Sequence, residues 1–99
     1  MKRTISAKSE RILRDLGVLP RLTAGERLVT AGTVYALDEE ARVLASLVFV
    51  LEGDVLCVGY AVNRGTGWQI VEQEPYSLRS LGYWQRWLKR HGVPVFSPP

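Results

Sequence analysis

The 99-residue chain holds one cysteine, Cys57, one histidine, His91, and no methionine beyond Met1. A lone cysteine forms no disulfide within the chain. A structural zinc site draws three or four ligands from Cys, His, Asp and Glu. With Cys57 and His91 on different predicted elements, no metal centre and no cofactor is expected. The same scarcity bears on catalysis, because a Ser–His or Cys–His pair would have to recruit His91. That residue sits at the predicted end of a helix, where an imidazole is more simply a cap on free carbonyls. Cys57 lies inside Val55-Leu56-Cys57-Val58 and is expected to behave as a small buried hydrophobe.

Uninterrupted apolar length is also missing. The most apolar region, Val43 to Val62, carries Glu52, Gly53 and Asp54 at its centre. A membrane span excludes two acids at its middle, whereas a hairpin turn welcomes them. The first residues, Met1-Lys2-Arg3-Thr4 followed by Ser6, Lys8, Ser9 and Glu10, lack the apolar stretch of a signal peptide. The expectation is a cytoplasmic protein with no membrane partner.

What is present is ordinary globular material: 46% hydrophobic and 23% charged residues, enough for one core and one domain spanning 1–99. Thirteen Lys and Arg against ten Asp and Glu leave a net charge of +3. That is basic enough to permit an acidic partner without demanding one.

The chain divides at its punctuation. Ser6 is a predicted N-cap for a helix over 6–16, with Ile5, Ile12, Leu13 and Leu16 near one face and Gly17 as its stop. Pro20 prevents the helix from resuming. Strands are predicted at about 28–37, 43–51, 55–62 and 68–73. The second and third are joined by the turn Glu52-Gly53-Asp54, the third and fourth by Asn63-Arg64-Gly65-Thr66-Gly67. Residues 39–47 also admit a helix opened by Asp38-Glu39-Glu40, but Val48-Phe49-Val50 favours strand. Ser77 caps a helix over 78–90, and 93–99 reads as an extended tail. The expected fold is α+β: a four-stranded antiparallel meander with an N-terminal and a C-terminal helix, ordered α-β-β-β-β-α. The second strand is apolar on both sides, so its face away from the helices calls for a cover: the N-terminal helix, the connector, a second subunit or a partner. A homo-oligomer is as consistent with this as a monomer.

Paired carboxylates are the remaining common catalytic engine. Asp38, Glu39 and Glu40 lie in a turn, and Glu72 and Glu74 lie beside Gln73 and Pro75, so neither group shows the apolar setting that raises a pKa. The glycines at 65 and 67 lead into a strand, not into the helix N-terminus of a phosphate loop. A non-enzymatic protein is expected.

The C-terminal helix carries the clearest pattern. Leu78, Leu81, Trp84 and Leu88 form an apolar stripe expected in the core. Arg79, Tyr83, Arg86 and Arg90 form a second stripe, with Trp87 between the two, and no acid follows Ser77. Arg grips carboxylates and phosphates with two parallel hydrogen bonds, and Tyr and Trp add flat contact area at low entropic cost. The candidate binding residues are therefore Arg79, Tyr83, Arg86, Trp87 and Arg90, with Arg64 at a loop tip. The favoured function is a small protein-binding domain, an adaptor, inhibitor or complex subunit of the kind phages and mobile elements often encode. It would use this helix or an apolar sheet face. The alternative is nucleic-acid binding through the same helix. A small antiparallel sheet followed by a basic helix is broadly similar to the double-stranded-RNA-binding domain (α-β-β-β-α) and to integrase arm domains. The stretch Tyr76-Ser77-Leu78-Arg79-Ser80-Leu81, with Trp84 and Trp87, resembles the latter over the last third of the chain. Two departures weigh against it: only Arg42 and Arg64 flank the strands, and +3 is a small electrostatic footprint.

Overall fold

The computed structural model describes residues 6–18 and 27–96; the connector, Ile5 and the last three residues of the expected tail lie outside the described residues. Helix α1 (Ala7–Asp15) opens at Ser6, whose hydroxyl accepts a hydrogen bond from the Ser9 N–H at 3.2 Å, and closes before Gly17 at φ +74°. Strands β1 (Leu28–Asp38), β2 (Val43–Glu52), β3 (Val55–Asn63) and β4 (Trp68–Pro75) follow, then helix α2 (Leu78–His91) and strand β5 (Val93–Phe96). Residues 43–52 are strand throughout, which disposes of the helical alternative there.

The fold is α+β, but its antiparallel sheet has five strands, in the order β4-β3-β2-β1-β5. The expected four-stranded meander and the extended tail are both corrected by β5. After α2 the chain turns at Gly92, pressed against Tyr35, and lays Val93–Phe96 along the open side of β1, pairing Val93 with Ala36 and Pro94 with Tyr35. Pro94 disguised this strand, since proline donates nothing to a ladder; an edge tolerates it.

Both helices pack on one face. Leu13 and Val18 from the α1 side and Leu81, Trp84 and Leu88 from α2 meet Val43, Ala45, Leu47, Phe49 and Leu51 of β2 and Leu56, Val58 and Val62 of β3. The opposite face also needs no helix. Val48, Val50, Cys57 and Ala61 are buried there beneath Leu28, Trp68 and Ile70. The sheet curls so closely that a side chain on Gly59 would collide with the backbone of Glu72 and Gln73. Its small residues let β4 ride over β3, with Val71 as the extra residue between the pairs Tyr60–Glu72 and Ala61–Ile70. Among the described residues, what covers this face is Leu28, Trp68 and Ile70 of the neighbouring strands; the connector, one of the expected covers, lies outside them. Among the described residues no helix is long and apolar enough to cross a membrane.

Candidate functional site

Helix α2 is fixed at both ends before any partner is considered. The Ser77 hydroxyl accepts from the Ser80 N–H at 3.0 Å while the Ser80 hydroxyl accepts from the Ser77 N–H at 2.8 Å, a capping box that satisfies two otherwise orphaned donors. Lys89, Arg90 and His91 occupy the last turn, where the helix dipole favours cations.

Its inner side is an aromatic wedge. Trp84 is buried, lies 5.2 Å from the Tyr60 ring and meets Tyr83 edge-on at 4.8 Å. Its indole N–H donates to Glu74 Oε2 at 3.2 Å. Trp87 is half-buried, stacked between Tyr60 and His91 with both ring centres 4.5 Å away. His91 Nδ1 donates to the Trp87 carbonyl at 2.9 Å. Glu72 faces the same wedge: burial first, and then its charge, push the Tyr60 phenol above its ordinary pKa. Together Glu72, Glu74, Ser77, Arg79, Ser80, Tyr83 and Trp84 line a cleft of ≈ 260 Å³. The involvement of Glu72 and Glu74 with these rings was not legible in the sequence, where their neighbours Gln73 and Pro75 suggested a plain wet edge.

The outer side is cationic. Arg79, Tyr83, Arg86 and Arg90 are all exposed on one face, as their spacing predicts, with Lys89 beside them. None of the three arginines forms an ion pair among the described residues, where the salt bridges are Arg14–Glu10 and Arg27–Glu52. Leu78 belongs to this face too. It was expected in the core, but it is 80% exposed, because it stands in the first turn of α2, ahead of the point where the helix meets the sheet. Trp87 is turned inward by its stacking and lies off this face. Arg64 lies apart from it, at the exposed tip of the β3–β4 loop. There Asn63 Oδ1 accepts from the N–H groups of Gly65 and Gly67 at 2.7 and 3.3 Å, so the loop spends these donors on itself.

The other candidate chemistries have structural occupations. Cys57 is buried, and desolvation, followed by the charge of Glu52, pushes its thiol upward, away from the reactive thiolate. Asp38 Oδ1 accepts from the Ala41 N–H at 3.0 Å in the β1–β2 turn, and Glu39 and Glu40 beside it are exposed. Among the described residues no group of three or more His, Cys, Asp or Glu is placed to hold a metal. Comparison with protein-family models, with curated proteins and with solved structures returned no match.

Proposed function

We propose that this protein is a non-enzymatic cytoplasmic binding domain, an adaptor, inhibitor or complex subunit, whose outward α2 face docks on an acidic protein surface. The observation that carries it is the unpaired row Arg79, Arg86 and Arg90, held on a helix that is capped and wedged into the core. Glu72 and Glu74 share a cleft with Arg79 without forming an ion pair to it, so its guanidinium keeps its donors for a partner's carboxylates. Exposed Leu78 and Tyr83 add apolar area beside the charges, the composition of an interface centre more than of a plain wet surface.

Two features favour protein over nucleic acid. The row is short: from residue 79 to residue 90 the helix rises about 16 Å. It is also bounded by acids. Glu72 and Glu74 flank its start. Asp38, Glu39 and Glu40 follow the β1 segment that pairs with β5, at the sheet end where α2 finishes. A continuous polyphosphate would run into both acidic flanks, whereas a bounded acidic patch on a protein avoids them. Self-association through this face is opposed by its uniform charge, so a homo-oligomer would have to use another surface.

The test pairs a variant with a salt series. Arg79→Gln, Arg86→Gln and Arg90→Gln combined should leave the fold intact by circular dichroism and abolish binding to an acidic protein ligand. Labelled duplex DNA, single-stranded DNA and RNA should show no saturable anisotropy change at about 50 mM salt. Tight nucleic-acid binding that weakens steeply by about 200 mM would replace this function with the phosphate-binding one.

A further inference from the structure

Eight glycines fall among the described residues, and seven have a structural reason. Gly17, Gly32, Gly53, Gly65 and Gly67 sit at positive φ, while Gly59 and Gly92 are crowded by the β4 backbone and by Tyr35. Gly82 has neither. It lies in the middle of α2 with helical φ, and, outside the helix's own backbone and its chain neighbours, the three nearest atoms to where a Cβ would stand all belong to the Arg86 guanidinium, the nearest at 3.0 Å. Arg86 is exposed, and its guanidinium can swing into solvent at little cost. Glycine inside a helix sacrifices stability relative to alanine through backbone entropy. Nothing among the described residues recovers that loss. What glycine provides here is a stretch of half-exposed helix backbone on the outward face, overlaid by the movable Arg86 side chain and framed by Leu78, Arg79 and Tyr83.

We infer that the partner presents an acidic α-helix whose backbone crosses α2 closely at Gly82; this rests on the acidic-protein function proposed above. Small residues at a crossing point let two helices approach at the short end of their usual 8–10 Å separation. A helix lying antiparallel to α2 would meet Arg79, Arg86 and Arg90 with carboxylates at i, i+4 and i+11, the mirror of their own spacing. Antiparallel alignment also opposes the two dipoles favourably. Neither described helix of a second copy supplies such a pattern: α2 holds no acid, and α1 holds only Glu10, paired with Arg14, and Asp15, five residues apart.

The probe is an alanine-based helical peptide with Glu at i, i+4 and i+11, compared with a peptide of the same composition whose Glu residues ring the helix. The patterned peptide should bind the full chain at least about tenfold more tightly, a difference of about 1.4 kcal/mol. Gly82→Ala should raise the melting temperature by about 4–8 °C through helix propensity. Gly82→Gln, also a good helix former, should keep the fold and weaken the patterned peptide at least about tenfold. If Gly82→Gln binds like the parent while the triple arginine variant does not, the crossing at Gly82 is wrong and the acidic-protein function stands. Equal affinity for both peptides likewise removes the helix geometry alone. Failure of both peptides to bind, with saturable duplex DNA binding or without it, overturns both proposals.

Discussion

Gly59 leaves no space for even a methyl group. A Cβ there would stand 1.8 Å from the Glu72 carbonyl oxygen and 2.7 Å from Gln73 Cα, both backbone atoms of β4. A flexible side chain could move aside; a strand held by its ladder cannot do so without losing hydrogen bonds. Gly59→Ala should therefore destabilise the domain by about 2–4 kcal/mol, at or above the usual range for overpacking. Gly67→Ala is the control: its φ of +109° disfavours a side chain, but nothing stands within 4 Å, so a smaller cost of about 1–2 kcal/mol is expected. Urea denaturation of the two variants checks this, and an equal midpoint would mean that β4 does not ride over Gly59. An interior strand glycine does signal close backbone approach, but a sequence does not say which backbone approaches. Trp84 was legible as core because its helical spacing put it opposite the arginines. The hydrogen bond from its indole to Glu74 was not, because it depends on where β4 passes.

At the scale of the element, α2 is a two-sided object, and its sides respond differently to substitution. Trp84→Ala removes a ring that is 3% exposed and touches Tyr60, Tyr83 and Trp87, and it leaves Glu74 without its donor. A loss of about 3–5 kcal/mol is expected. Leu78→Gln, at 80% exposure, should change stability by less than about 0.5 kcal/mol. The same substitution should weaken partner binding, which a purely structural helix would not show. Thermal unfolding of the pair, with Leu81→Ala as a buried reference, separates the two sides; a large loss at Leu78 would place it back in the core. The helix, its caps and four of the strands were readable because each has a local signal: a serine before an apolar period, or alternation bounded by turn residues. Strand β5 has none. Four residues containing a proline become a strand only because Gly92 delivers them to the unpaired side of β1, and that proximity is a property of the assembled sheet.

The whole molecule responds to alkaline pH through two acids that the fold keeps neutral. Cys57 is raised from an ordinary 9.0 by burial and then by Glu52, and Tyr60 from an ordinary 10.0 by burial and then by Glu72. In each case the folded state holds a proton that the unfolded chain releases at lower pH. Between the unfolded and folded values the unfolded state therefore binds fewer protons, and stability falls as pH rises. The contribution of the two groups is intact below about 9 and is lost progressively through and above 10, in that order. The urea midpoint should accordingly hold steady between about pH 6 and 8 and decline beyond about 9. Cys57→Ala should delay the onset of the decline. Tyr60→Phe should flatten its upper part, and Glu72→Gln should do so partially, since the Glu72 charge is the lesser of the two causes acting on Tyr60. A midpoint that rises above pH 9 would mean that these groups ionise more easily folded than unfolded, contrary to the burial of Cys57 beneath Trp68 and Ile70 and of Tyr60 beneath Trp84 and Trp87. The aromatic wedge that seats α2 on the sheet would then be looser than its geometry implies.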